Sequence, residues 1–130
     1  MVKRVRSAGI YVSDQQRAVE FFTETLGCEL LTDERMGAGA EAQRWIEVRL
    51  PGDDTRLVLF TPPGQEDRIG TQTNLIFHCD DIHATHAELA SRGVRFTTEP
   101  QVAPWGNWWA AFCDPDGNEY GLSLESEDRS

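Results

Sequence analysis

Three histidines, His78, His83 and His86, fall within nine residues of one another, close enough to raise the question of a metal site. Imidazoles hold a transition metal only when they converge on one point. His83 and His86 share a helix face, whereas His78 belongs to the strand before that helix, so solvated or capping histidines are the plainer reading. His78 and Glu119 form a different pair. A histidine and a carboxylate can serve as base and acid if burial moves both toward neutrality, and they can equally be polar residues at a solvated rim. Trp45, Trp105, Trp108 and Trp109 are many tryptophans for this length, and Trp105-Gly106-Asn107-Trp108-Trp109 concentrates three of them. Beside a carboxylate, such a wall suits a flat or cationic organic ligand, while packing in a core or interface is the alternative.

Other chemistries find no footing. Cys28, Cys79 and Cys113 are odd in number without a Cys-x-x-Cys spacing, and are expected as reduced core thiols. The stretch Met36–Glu41, MGAGAE, lacks the strand-to-helix context of a phosphate loop and is expected as a hairpin turn. No Walker motif or Gly-x-Ser-x-Gly elbow occurs, and Ser13, Ser91 and Ser126 lie in loop or helix-end contexts.

The elements that must position these residues come as a repeat. Ser7–Gly27 and Asn74–Gly93 each begin with a short alternating strand and meet an Asp. Each then runs about three turns of helix to a Gly. Asp14 and Asp80 or Asp81 cap the helix starts, and Gly27 and Gly93 supply left-handed ends. Ala18, Phe22 and Leu26 lie along one helix face, as do Ile82, His86 and Leu89. Three strand candidates follow each Gly: Cys28–Met36, Ala42–Leu50 and Thr55–Thr61, then Val94–Thr98, Asn107–Cys113 and Glu119–Glu125. The chain is thus a βαβββ unit written twice, about 3–61 and 73–125, with 62–72 as linker and a frayed tail. It is expected as one α+β domain.

Alternation assigns faces. Ala8, Ile10, Val12, Leu57 and Leu59 lie opposite Ser7, Gly9, Tyr11, Val58 and Phe60. Leu75, Phe77, Cys79, Tyr120, Leu122 and Leu124 lie opposite Asn74, Ile76, His78, Glu119, Gly121 and Ser123. The first set is apolar enough to pack beneath a helix. The second mixes small, polar and aromatic residues, as a concave binding surface would.

The formal charge of −10 and pI near 4.6 argue against nucleic acid and acidic membranes as partners, because phosphates need clustered Lys and Arg. The N-terminus MVKRVRSAGIYV lacks a signal-peptide apolar region, and the expected location is cytoplasmic.

The repeat, with YVSD before AVEFFTETLG and DPDGN entering the final strand, resembles the vicinal-oxygen-chelate superfamily. That superfamily includes glyoxalase I, bleomycin-resistance proteins and extradiol dioxygenases. The resemblance implies two βαβββ modules forming an eight-stranded, partly open barrel-like sheet around a pocket, commonly in a homodimer. By that parity Trp109 and Ala111 face the pocket, and Trp108 and Phe112 face away. Metal-dependent members place four ligands at positions that are Ser7, Val58, Asn74 and Gly121 here. Val58 and Gly121 offer no donor, and neutral Ser and Asn cannot offset the desolvation of a dication. The expectation is therefore a metal-independent protein, without cofactor, that binds a small organic molecule. Sequestration of a toxic or antibiotic compound is its concrete form. Tyr11, Phe60, Asn74, His78, Trp109 and Glu119 are its candidate ligand-binding residues. The alternatives are a metal-free lyase or isomerase using His78 and Glu119 as acid and base, a metal-dependent glyoxalase or dioxygenase with ligands from other positions, and a non-catalytic interaction module.

Overall fold

The computed structural model describes residues 1–39 and 42–124. Ala40 and Glu41 of the MGAGAE turn, Glu125 of the expected last strand, and the tail lie outside the described residues. The chain divides into two compact units, Met1–Ile69 and Gly70–Ser130.

Unit 1 contains β1 (Ser7–Tyr11), α1 (Gln15–Glu20), β2 (Glu29–Arg35), β3 (Arg44–Arg49) and β4 (Arg56–Phe60). Unit 2 repeats the order as β5 (Leu75–Cys79), α2 (Ile82–Ser91), β6 (Arg95–Val102), β7 (Trp108–Cys113) and β8 (Glu119–Leu124). The sheets run β1-β4-β3-β2 and β5-β8-β7-β6. In each the first strand lies parallel to the last and the remaining pairs are antiparallel. All eight expected strands form, as two open four-stranded sheets in an α+β fold.

Local chemistry starts and stops the helices. Asp14 and Asp81 accept the backbone N–H of Arg17 and Ala84, each at 3.0 Å, satisfying donors that the first turn leaves open. Gly27 and Gly93 end the helical segments at φ +88°, a conformation costly for any residue with a Cβ.

The first helix is not α-helical throughout. After Glu20 it widens into a π-helical turn, Phe21–Thr25, in which the Leu26 N–H reaches the Phe21 carbonyl at 3.0 Å. The strict four-residue spacing of Ala18, Phe22 and Leu26 overruns a 3.6-residue period, and the wider turn absorbs the excess. Ala18 and Phe22 are buried.

β6 also departs from expectation. It continues past Thr98 through Pro100 to Val102, with register shifts between Phe96 and Thr98 and between Thr98 and Gln101. As the sheet edge it tolerates a proline without a donor, and its irregularity discourages further strand pairing.

Under α1, unit 1 buries Ile10, Val12, Ile46, Val48, Leu57 and Leu59. Under α2, unit 2 buries Ala110, Phe112, Tyr120 and Leu122. Phe112 packs on Phe77, Phe96 and Tyr120 with ring centroids 5.6–6.2 Å apart. Edge-on, His83 meets Trp108 at 4.7 Å and His86 meets Phe96 at 4.6 Å. His83 is exposed and His86 half-buried, in line with solvated histidines, and both pack on aromatic rings of the helix-covered side.

Candidate functional site in the second unit

The turn before β8 fixes where that strand begins. Asp114 is buried, and one of its oxygens accepts the backbone N–H groups of Asp116 (2.9 Å) and Asn118 (3.0 Å). The other accepts Asn118 Nδ2 (2.8 Å) and the Tyr120 hydroxyl (2.7 Å). Burial, then the Asp114 charge and this hydrogen bond, push the Tyr120 hydroxyl above the ordinary tyrosine range. Asn118 Oδ1 in turn accepts the Gln72 N–H at 3.0 Å, and Glu119 N–H donates to the Gln72 carbonyl at 2.8 Å. Asp114 and Asn118 of DPDGN are thus spent on holding β8 beside the segment that leads into β5.

With β8 fixed, its alternate residues line the open face of unit 2. A cavity of about 510 Å³ opens there. Ile76 and His78 of β5, Trp109 and Ala111 of β7, and Glu119, Gly121 and Ser123 of β8 contribute to its wall. Trp105, in the β6–β7 turn, joins them and packs on Trp109 with ring centroids 6.2 Å apart. That turn is closed by Gly106 N–H to the Ala103 carbonyl (2.8 Å), and Asn107 Nδ2 ties it to the Leu124 carbonyl (3.0 Å).

Of the candidate ligand-binding residues, His78, Trp109 and Glu119 meet at this cavity. Asn74 is exposed just before β5, and the neighbouring Thr73 lines the cavity instead. Tyr11 and Phe60 belong to unit 1, where they are register partners on β1 and β4. The Arg68 guanidinium lies 5.6 Å from the Tyr11 ring, and Trp45 packs on Phe60 at 6.1 Å.

His78 and Glu119 stand too far apart to share a proton. His78 is opposite Ser123, and Glu119 precedes Ser123 by four residues, which is about 13 Å along the strand. Glu119 instead accepts a hydrogen bond from the Thr97 hydroxyl. Sequence reasoning missed Thr97, which sits at a register shift where alternation fails, and it placed Ile76 on the binding face and Trp105 in the aromatic wall without naming either among the ligand-binding candidates. For Trp105 the signal was the Pro104-Trp105-Gly106 turn, which places an indole at a hairpin tip.

The residues do not fit the metal that some related proteins carry. Of the four corresponding positions, Val58 is buried and has no side-chain donor, and Gly121 has no side chain. A Cβ at Gly121 would lie 3.1 Å from Ile76 Cγ1, so Ile76 occupies the space a ligand side chain would need. The buried carboxylate beside Val58 is Glu47, and it is already engaged by Arg56 (2.7 Å), Trp45 Nε1 (2.9 Å) and Arg6 (3.3 Å). Among the described residues no group of three or more His, Cys, Asp or Glu side chains is placed to hold a metal ion. The cysteines are not activated either: burial raises all three thiols, Cys28 to about 12.

Comparison with known proteins agrees with this architecture. The sequence profile of the Glyoxalase/Bleomycin resistance protein/Dioxygenase superfamily matches residues 4–122. The chain belongs to that superfamily. Within reach of it is YetH of Bacillus subtilis (strain 168), itself uncharacterized, which is 34% identical over 122 residues, 94% of this chain and 98% of YetH. A superfamily member from Sphaerobacter thermophilus DSM 20745 superposes with a TM-score of 0.85 at 36% identity, covering 95% of this chain and 98% of its own. TnmS3, an antibiotic binding protein from Streptomyces sp. CB03234, superposes with a TM-score of 0.81 at 37% identity, covering 96% and 98%. Superfamily membership is compatible with several chemistries, so function rests on the site.

Proposed function

We propose that this chain binds a small, flat, at least partly apolar organic molecule in the unit 2 cavity, without a metal ion, and acts by sequestering it. A toxic or antibiotic compound is the concrete class. The observation that carries this reading is the packing of Ile76 over Gly121 beside the Trp105–Trp109 pair. Where a metal-dependent relative needs a donor, this wall offers apolar and aromatic surface. A cavity of about 510 Å³ suits a drug-sized ligand. The likeness to an antibiotic binding protein at 37% identity supports the same reading. His78 and Glu119, at opposite ends of the wall, serve as polar handles rather than as an acid and base on one reacting atom.

Tryptophan fluorescence and thermal shift across a panel of planar antibiotics and metabolites test this function. The expected result is quenching of Trp105 and Trp109 together with a raised Tm, since binding to the native state alone stabilises it. No response from any compound would overturn the proposal. Stoichiometric metal in protein purified without a histidine tag would overturn its metal-free part.

A further inference from the structure

Resting on the reading of unit 2 as a binding cavity, we infer that its ligand is a planar cation whose N–H group donates to Glu119. Among the described residues, Glu119 is the one Asp, Glu, Lys or Arg side chain lining the cavity. Thr97 occupies one of its oxygens, and no other described residue donates to the carboxylate. The nearest guanidinium on this sheet, Arg95, lies across Cys113 from Glu119 and donates to Cys113 Sγ at 3.4 Å instead.

The internal repeat makes this incomplete pairing informative. Glu119 stands two residues before Gly121 as Arg56 stands two residues before Val58. In unit 1 the open-face charges are matched internally, with Glu47 held by Arg6 and Arg56. The unit 2 carboxylate has only a neutral hydroxyl. A half-buried carboxylate with lone pairs to spare takes a charge-assisted hydrogen bond from a cation. Trp109 pairs with Ser123, four residues past Glu119 and about 13 Å along the strand, so the planar body of the ligand extends from the carboxylate toward the indoles. A chain of net charge −10 also draws cations toward it and repels anions.

Equilibrium titrations of the full chain, followed by tryptophan quenching, test the inference with three planar probes. They are cationic proflavine, neutral fluorenone, which has no N–H, and an anthracene carboxylate. Proflavine is expected to bind about ten- to a hundredfold more tightly than fluorenone, the weight of one charge-assisted hydrogen bond. Glu119→Gln removes that preference. Glu24→Gln, an exposed control on the first helix, retains the preference, which excludes general attraction to an acidic protein. Proflavine affinity in the unmutated chain falls with added salt while fluorenone affinity does not, and this measurement holds even if Glu119→Gln fails to fold. Equal binding of the probes, or a cation preference that survives Glu119→Gln, overturns the cation assignment and leaves the cavity reading standing. Failure of every probe to bind the folded protein overturns both.

Discussion

Replacing Asp114 by Asn changes one oxygen to an amide nitrogen within the same outline. It asks how much of unit 2 depends on the turn. Asp114 accepts four hydrogen bonds at 2.7–3.0 Å. In the best orientation of the new amide, its oxygen keeps the two backbone donors and its NH₂ faces Asn118 Nδ2, donor against donor. The Tyr120 hydroxyl can rotate to accept, but it loses a charged partner. Hydrogen bonds to a charged group contribute about 1.5–3 kcal/mol each, and an unpaired buried donor costs a further 1–3. The terms overlap, so the expected loss is about 2–4 kcal/mol, a large part of a typical 5–15 kcal/mol stability. For a chain of this length that corresponds to a fall in Tm of about 8–16 °C. Urea denaturation followed by circular dichroism should show a lower midpoint at an unchanged m-value. Tyr120→Phe should cost about 1.5–3 kcal/mol. The double substitution should cost less than the sum, because both act on one carboxylate oxygen. A loss below about 1 kcal/mol for Asp114→Asn, or strict additivity with Tyr120→Phe, would refute the argument that the turn is a coupled network.

Arg56 above all, then Trp45 and Arg6, hold the Glu47 carboxyl below its ordinary value near 4.5 against the opposing effect of burial. A depressed folded pKa gives stability that is present above about pH 4.5 and is lost as pH falls through the folded value. Acid titration of Glu47→Gln should therefore show a shallower acid limb than the unmutated chain. Cys28, raised to about 12 by burial and by Asp53, contributes stability that is full below its ordinary value of 9.0 and is lost between there and about 12. At pH 8 iodoacetamide should modify Cys28 in urea far faster than in native buffer, and equal rates would contradict its burial. Gly121→Ala brings a Cβ 3.1 Å from Ile76, which is 65% exposed and can give way, so it should cost less than about 1 kcal/mol in urea denaturation, and Ile76→Ala in the same chain should remove that cost. Trp105→Ala should weaken any planar ligand about tenfold, read from the fluorescence of the remaining tryptophans.

Alternation carries far where strands are regular. Ile76, His78, Glu119, Gly121 and Ser123 occupy one face because the parallel register β5–β8 pairs Ile76 with Gly121 and His78 with Ser123. That follows from the two-residue period alone. It stops at irregularities. The shift between Phe96 and Thr98 puts Thr97 within reach of Glu119, and no periodic reading assigns that contact. The π turn at Phe21–Thr25 is similarly hidden, since a four-residue apolar spacing is read as ordinary α-helix. Separation along a strand is legible only once register is known. His78 and Glu119 share a face in the sequence, yet about 13 Å of strand divides them. Side-chain partners are the least legible layer. Nothing in the local sequence of β3 tells that Glu47 is claimed by arginines from β4 and from the segment before β1.

The contrast between the two open faces bears on where the ligand's polarity is read. Removing both Arg6 and Arg56 from Glu47 would leave a buried carboxylate without a counter-charge, so that face is committed to its internal charges. A ligand approaching it would have to break ion pairs before making contacts of its own. On the unit 2 face the carboxylate is anchored through one neutral hydroxyl, so a donor can be added without removing any bond already made. The fixed turn at Asp114 keeps the Glu119 backbone from shifting as this happens, since its N–H is held by the Gln72 carbonyl at 2.8 Å. The geometry is preorganised for a ligand that brings a donor, and the ordering cost of binding falls on the Trp105 turn rather than on the sheet.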